Sequence, residues 1–200
     1  MRFYLIIFFL ICIISKNLYA DETSDWLKGE IDIILEAYKN QNLSNENRFL
    51  LIEKTINNNF AGTGIAKFVA GEAWRKSDKN TKILYIENFK RHLALNIASM
   101  MQGYSDQTYE LTKSKYDSKN QVTLIDMEIF SDTGSVVVTW RVKESKDRFF
   151  VIDLIVADIS LVVTKRSEFN SMLKKVDNDL SQFNDVLSEQ NQNSYNKITN

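Results

Sequence analysis

The stretch RFFVIDLIVADISLVVTKRSEF, residues 148–169, carries the strongest structural signal in this chain. Its first half alternates two apolar sets, Phe149, Val151 and Ile155 against Phe150, Ile152, Leu154 and Val156. A strand with two apolar faces is typically buried on both sides. One face can pack on the core, and the other can then cover a second layer of protein or an apolar ligand.

A single acid, Asp153, lies in the middle of this apolar strand. A buried carboxylate needs a partner, and Arg141, Arg148 and Arg166 are the candidates. Two interpretations stay open: a buried ion pair that sets the strand register, or a functional site.

The first twenty residues differ from the rest of the chain. Arg2 precedes an apolar run over residues 3–14, and a polar segment then ends at Ala20. This pattern predicts a cleavable signal peptide over residues 1–20. An uncleaved anchor is the alternative, but spanning a bilayer takes roughly 20 apolar residues. We therefore expect an exported protein with one domain over residues 21–189 and a polar, disordered tail over residues 190–200.

Composition and charge narrow the class of protein. The chain has 200 residues, of which 44% are apolar and 26% charged, as in ordinary globular domains. The formal net charge of −1 argues against a nucleic-acid-binding role. The only cysteine, Cys12, lies in the predicted signal peptide, so the mature chain has no disulfide or thiol chemistry.

Hydrophobic periodicity predicts helices first, then strands, then a last helix. Helical spacing indicates a helix capped by Ser24 or Asp25, one capped by Ser44, a short one from Thr63 or Gly64 to Gly71, a long one from Ser77 to Gly103, and a last one capped by Ser167. The period changes to two over residues 108–116, 122–130, 136–142 and 149–156. Successive strands joined by short turns form an antiparallel meander, so the fold class is α+β with a sheet of about four strands.

Few residues could carry chemistry. The one histidine, His92, lies on the long predicted helix, and no Gly-x-Ser-x-Gly elbow presents a serine to it. No histidine and cysteine set offers ligands for a transition metal. The short Gly62-Thr63-Gly64 segment lacks the lysine of a P-loop and is interpreted as a turn. The sequence therefore predicts no catalytic residues, no metal and no cofactor.

Two blocks of the sequence resemble the MlaC-type family, also called the toluene-tolerance auxiliary proteins. The first block carries Phe60, Ile65-Ala66, Gly71, Trp74 and Phe89 at the family's aromatic, small-residue, glycine, tryptophan and phenylalanine positions. The second block matches at Phe149, Val151, Asp153, Leu154, residues 159–162, Arg166 and Phe169. The chain departs from the family pattern around Phe60, where Asn59, Ala61 and Gly62 replace the usual proline and aspartate. It also departs at Phe149, Asp158 and Lys165, where the family has tryptophan, glycine and tyrosine.

The resemblance implies a curved antiparallel sheet wrapped by helices, similar to the cystatin-like or nuclear-transport-factor-like cone. It also implies a periplasmic carrier that binds phospholipid as cargo, holds its acyl chains in an apolar pocket and does no chemistry. The implied partners are an inner-membrane ABC lipid transporter with a substrate-binding Mce-type subunit and an outer-membrane lipoprotein–porin complex, a pathway that maintains outer-membrane lipid asymmetry.

The wall of such a pocket has to come from apolar side chains of the long helix and the strands. The hypothesis names Leu93, Ile97, Met101, Ile125, Met127, Ile129, Val136, Val138, Trp140, Phe150, Ile152, Leu154 and Val156. Trp74, Asp153 and Arg166 are matched to the family and interpreted as structural, with Arg166 expected to pair with an acid.

Three alternatives remain open at this point. The first is an isomerase-like or dehydratase-like enzyme on the same cone, which would use Asp153 and His92. The second is a periplasmic adaptor with a filled core, which only bridges protein partners. The third is a carrier of another lipid, such as a hopanoid.

Overall fold

The structure is a computed structural model that describes residues 22–104 and 107–199. The predicted signal peptide and its cleavage position after Ala20 lie outside the described residues. Within the described ranges, none of the helices combines the length and the apolar character that crossing a bilayer requires.

Helices precede and follow the strands, as the periodicity predicts. Residues 22–39 are helical and are called α1. The others are α2 (Asn45–Asn59), α3 (Gly62–Ala70), α4 (Glu72–Lys76), α5 (Lys79–Met101), α6 (Leu161–Leu173), a 3₁₀ turn (Lys174–Val176) and α7 (Leu180–Thr199).

The predicted helix starts are partly right. Ser44 caps α2, because its hydroxyl oxygen accepts a hydrogen bond from the Asn47 backbone N–H at 3.2 Å. The predicted cap of α1 at Ser24 or Asp25 is wrong, since the chain is already helical at residue 22. The cap of α5 is Asp78 instead of Ser77, and Asp78 accepts from two backbone N–H groups of the first turn.

The strands form one antiparallel sheet in the described part of the chain, with neighbours in chain order. Its members are β1 (Thr108–Asp117), β2 (Val122–Ser131), β3 (Gly134–Ser145), β4 (Arg148–Val156) and the two-residue β5 (Ile159–Ser160). The sheet is curved and does not close into a barrel. The predicted α+β class and curved antiparallel sheet are therefore confirmed, with one short strand added to the predicted four.

A bulge interrupts the alternation of β4. Arg141 pairs with Asp153 and Val142 pairs with Val151, so Ile152 is an extra residue without a partner on β3. An extra residue shifts the alternation of side chains between the two faces. The faces of β4 therefore differ from those that strict alternation predicts.

The C-terminal region differs from the single helix that was predicted from Ser167. The first of the two helices, α6, begins at Leu161, because the cap is Ser160, seven residues before the predicted cap Ser167; Ser160 accepts from the Val163 N–H at 3.1 Å. The chain then leaves the helix where Asp177 and Asn178 both have positive φ, at 53° and 59°. Aspartate and asparagine tolerate the left-handed conformation better than most residues, and α7 starts after this break.

The prediction of a disordered tail over residues 190–200 is wrong for the described residues 190–199. They continue α7, in which Asn191 and Ile198 are buried. Tyr195 packs edge-on against Phe49 with ring centroids 5.2 Å apart. The polar composition of residues 190–200 suggested disorder, because only one narrow stripe of this helix packs against the rest of the protein and the other positions are polar.

Three buried clusters form the core. One joins α3, α4, α5, α6 and α7 around Phe89 and Phe169, and a second joins α2, α5 and α7 around Phe49 and Ile52. The third lies between α1 and the sheet, where Leu27 contacts the cluster that contains Ile125. Phe60 packs against all three clusters, so the turn between α2 and α3 is where the helical and sheet cores meet.

Candidate functional site

An open groove of about 380 Å³ lies at the edge of β4, between α3 and α6. Most of its lining is apolar. The lining residues are Ala61, Gly64, Ile65, Phe68, Arg141, Ile152, Asp153, Ile155, Ser160, Val162 and Val163. Its volume lies near the lower end of the roughly 300–1,000 Å³ that small-molecule sites occupy.

Two connections to β4 position the helices that flank this groove. The Ala61 backbone N–H donates to the Val151 carbonyl oxygen at 2.9 Å, and Phe60 forms an isolated parallel bridge with Val151. These contacts hold the start of α3 at the edge of β4. On the other side a tight turn, in which Ala157 and Asp158 both have positive φ, returns the chain to β5 and then directly to α6.

Asp153 ties the strand to the start of α6. Its exposed fraction is 5%, and its two carboxylate oxygens accept four hydrogen bonds. The donors are the backbone N–H groups of Leu154 (2.8 Å) and Val162 (3.2 Å), the Ser160 hydroxyl (2.7 Å) and Arg141 Nη1 (3.5 Å). The expected Asp153–Arg pairing is thus found with Arg141, and the buried acid also satisfies donors of a helix N-terminus.

Arg166 does not pair with an acid among the described residues, so that expectation is wrong. Its Nη1 donates to the Phe68 carbonyl oxygen at 3.0 Å, and the guanidinium carbon lies 4.4 Å from the centroid of the Phe68 ring. The contact joins α6 to the C-terminal part of α3. It therefore holds together the two helices that flank the groove.

Eight of the predicted pocket residues share one face of the sheet, because paired residues on antiparallel strands point to the same side. They are Ile125, Met127, Ile129, Val136, Val138, Trp140, Leu154 and Val156, and we call this set the wall. At one end Ile125 shares a buried cluster with Leu27 of α1, and Trp140 packs against that cluster. At the other end Val136 is 44% exposed.

The bulge separates Phe150 and Ile152 from the wall. Phe150 pairs with Lys143 on the opposite face, where the Arg148 guanidinium lies 5.1 Å from its ring centroid. Ile152 lines the groove next to Asp153. The grouping of these two residues with Leu154 and Val156 on one strand face is therefore wrong, because strict alternation ignores the extra residue.

The three predicted pocket residues on α5 lie elsewhere again. Leu93, Ile97 and Met101 pack against the helical cluster around Phe49. Met101 also lines a second, more polar cleft of about 290 Å³ beside Tyr38. The structure thus distributes the predicted lining over a wall, a groove and a helical cluster.

Trp74 and His92 belong to the helical core. The Trp74 ring lies 6.4 Å from that of Tyr85, and the Lys82 ammonium lies 5.5 Å from its centroid. The His92 ring packs edge-on against Phe169 at 5.4 Å, and burial lowers its pKa to about 4. His92 is not among the residues that line the groove containing Asp153, so these two residues do not form a catalytic pair there.

Sequence reasoning missed most of the groove. The lining residues from α3 and α6 lie on short helices whose apolar positions look like ordinary core. The sequence shows only that α3 and α6 carry more apolar residues than a small core needs. In the structure two of them, Phe68 and Val163, remain 44% and 57% exposed. Large exposed apolar side chains next to a concavity are typical of binding sites.

Comparisons with known proteins agree with this architecture. A search of curated proteins gives no match. Among solved structures, the chain is similar to the phospholipid-binding protein from Ralstonia solanacearum in complex with a phospholipid, with a TM-score of 0.72 and 16% sequence identity. The match covers 84% of this chain and 96% of that one, and at this identity it shows a common fold.

The family comparison extends over most of the domain. The model of the family described as MlaC protein matches residues 29–190, which includes α2 to α6, the whole sheet and the groove. The chain therefore belongs to the MlaC protein family.

Proposed function

We propose that this protein is a phospholipid carrier that holds an acyl chain in the groove between α3, α6 and β4. The observation that supports this most directly is the groove itself, which is open, mostly apolar and bordered by exposed apolar side chains. Membership in the MlaC family and the fold shared with a phospholipid-binding protein support the same conclusion.

The physical need for such a carrier is large. A two-chain phospholipid has about 30 methylenes, and exposing them to water costs on the order of 25 kcal/mol at about 0.8 kcal/mol each. Passage through water without a carrier is therefore negligible. A protein that supplies a dry apolar surface removes most of this cost, and the transfer needs no chemical step.

The dimensions of the groove indicate how much of a lipid it holds. A volume of 380 Å³ accommodates about a dozen groups of the size of a water molecule or a methylene, at about 30 Å³ each. One acyl chain fills it. The second chain of a diacyl lipid would lie on the exposed apolar rim formed by Phe68 and Val163, which are 44% and 57% exposed.

The carrier would work in the periplasm, after export directed by the predicted signal peptide. It would exchange phospholipid between an inner-membrane ABC transporter with an Mce-type subunit and an outer-membrane lipoprotein–porin complex. The predicted wall residues remain the competing location for the lipid chain. The family match supports the general role, and the groove supports the location.

A pair of glycine substitutions tests the location. Gly64 lines the groove, and a Cβ added there meets no atom within 4 Å, so Gly64→Phe fills the groove without a backbone clash. Gly29 on α1 is likewise exposed with open space around it, so Gly29→Phe is the matched control.

Each protein is purified without added ligand, and its lipid is extracted and quantified by mass spectrometry. We expect phospholipid with the wild type and with Gly29→Phe, and several-fold less with Gly64→Phe. Wild-type protein that carries no lipid, and takes up none from vesicles, contradicts the carrier. Equal lipid in the two variants contradicts the groove as its location.

A further inference from the structure

We propose that Arg141 recognises the phosphate of the bound phospholipid at the mouth of the groove. The inference rests on the proposed lipid-carrier function and adds to it the residue that contacts the head group. It starts from the charges of the groove, because Arg141 and Asp153 are the only two charged residues among those that line it.

Asp153 depends only weakly on Arg141 for its hydrogen bonds. Three closer donors, from Leu154, Ser160 and Val162, already occupy its oxygens at 2.7–3.2 Å. The contact from Arg141 Nη1 is 3.5 Å long, at the outer limit of a hydrogen bond. Asp153 is thus satisfied mainly by neutral donors, and it holds the arginine in place without using up its hydrogen-bonding capacity.

Arg141 keeps most of its donors for another anion. A guanidinium has five N–H groups, and within the described part of the chain Asp153 is the only acceptor to which the Arg141 side chain donates. Its side chain is 33% exposed, whereas that of Asp153 is 5% exposed. The arginine therefore stands between the buried acid and solvent, at a position where a lipid whose chain fills the groove can present its head group.

The chemistry of arginine suits a phosphate. Its planar fork binds two anionic oxygens at once, and such charge-assisted contacts are stronger than those between neutral groups. The apolar side chains next to it, Ile152 and Ile155, contact the groove volume that the acyl chain would fill. A fatty-acid carboxylate offers similar oxygens, so an experiment has to separate the two anions.

The test compares loading of three radiolabelled probes from vesicles: phosphatidylglycerol, diacylglycerol and palmitate. The variants are Arg141→Met, Arg141→Lys and the control Arg148→Met. Arg148 is also a strand arginine that donates to a backbone carbonyl, that of Asn58, but it does not line the groove. We expect Arg141→Met to lower phosphatidylglycerol loading roughly tenfold while diacylglycerol loading stays unchanged.

We expect Arg141→Lys to be intermediate, because it keeps the charge but loses the two-point contact, and Arg148→Met to behave as wild type. An Arg141→Met protein that still prefers phosphatidylglycerol over diacylglycerol overturns the proposal. Preferential loading of palmitate that depends on Arg141 overturns the assignment to phosphate.

Two further outcomes are distinguishable. If Arg141→Met does not fold, as judged by circular dichroism, the ratio of phosphatidylglycerol to diacylglycerol in Arg141→Lys decides, and an unchanged ratio overturns the proposal. If the wild type loads none of the three probes, the carrier function itself fails, and the assignment of Arg141 fails with it.

Discussion

Ser160 donates its hydroxyl hydrogen bond to Asp153 Oδ2 at 2.7 Å, and its own oxygen accepts from the Val163 N–H at 3.1 Å. The two residues are seven positions apart, on either side of a tight turn with positive φ at Ala157 and Asp158. A buried strand acid and a helix cap thus form one hydrogen-bonded unit. This unit fixes where α6 starts relative to β4, and hence the width of the groove.

Removing this acid should destabilise the fold. Asp153→Ala leaves the Ser160 hydroxyl, the Val162 N–H and Arg141 without their common acceptor, and we expect a loss of about 3 kcal/mol in the free energy of unfolding. Asp153→Asn retains an acceptor oxygen and should lose about 1–2 kcal/mol. Urea unfolding followed by circular dichroism measures both, with the exposed Asp185→Asn on α7 as control. A loss below 1 kcal/mol for Asp153→Ala contradicts the role assigned to this network.

A charge introduced in the groove, compared with a charge introduced on the wall, should show which of the two surfaces binds the acyl chain. Val163→Glu places a carboxylate where the proposed acyl chain would cover it, and the high cost of burying that charge should lower the co-purifying phospholipid by about tenfold or more. Val138→Glu introduces the same change on the wall, where it should leave the lipid content near that of the wild type. Lipid extraction and mass spectrometry provide the comparison. The reverse pattern would place the acyl chain between the sheet and α1.

The single histidine should weaken the fold in acid. Burial, and secondarily the charge of Lys165, lowers the pKa of His92 from 6.5 to about 4. Because the unfolded chain binds this proton first as the pH falls, stability is lost from about pH 6.5 and the loss is complete near pH 4. The effect amounts to up to about 3 kcal/mol.

The variant His92→Gln isolates this contribution. In the wild type the Nδ1 atom of His92 lies 3.3 Å from Asn191 Oδ1, and the side-chain amide of a glutamine at position 92 can still donate to that oxygen. Denaturant unfolding of both proteins at several values between pH 7 and pH 4 gives the difference in free energy. We expect the wild type to lose more stability than His92→Gln over this interval, and parallel curves would contradict a depressed pKa.

The C-terminal segment should be necessary for stability. Deleting residues 190–200 removes the buried Ile198 and the Tyr195 ring, and it uncovers the cluster around Phe49 and Ile52. Burial of one large apolar side chain contributes about 1.5–3 kcal/mol, so the truncated protein should lose about 3 kcal/mol or more. Thermal unfolding of the truncated chain and of the exposed-site control Lys197→Ala gives the comparison. Identical melting temperatures for the truncated chain and the control would mean that the last turns of α7 contribute nothing to stability.

Local sequence patterns were sufficient for the order of elements, the α+β class and several boundaries. The cap at Ser44 and the alternation of Ile125, Met127 and Ile129 against Asp126 and Glu128 depend on contacts within one or two turns or between side chains two positions apart. Such signals are local, so a sequence displays them directly. The requirement that Asp153 find a partner was equally readable, because the cost of burying a charge does not depend on the fold.

The location of the groove depended on contacts between distant parts of the chain. One extra residue in β4 turned Ile152 away from Leu154, and the hydrogen bond from Ala61 to Val151 brought α3 to the free edge of that strand. Arg166 then joined α6 to α3 through Phe68. None of these contacts has a periodicity to detect, because each joins residues that are far apart in the chain or shifts a register by a single position. The sequence therefore indicated a protein that binds an apolar ligand, and the packing of α3 and α6 on β4 determined where the groove lies.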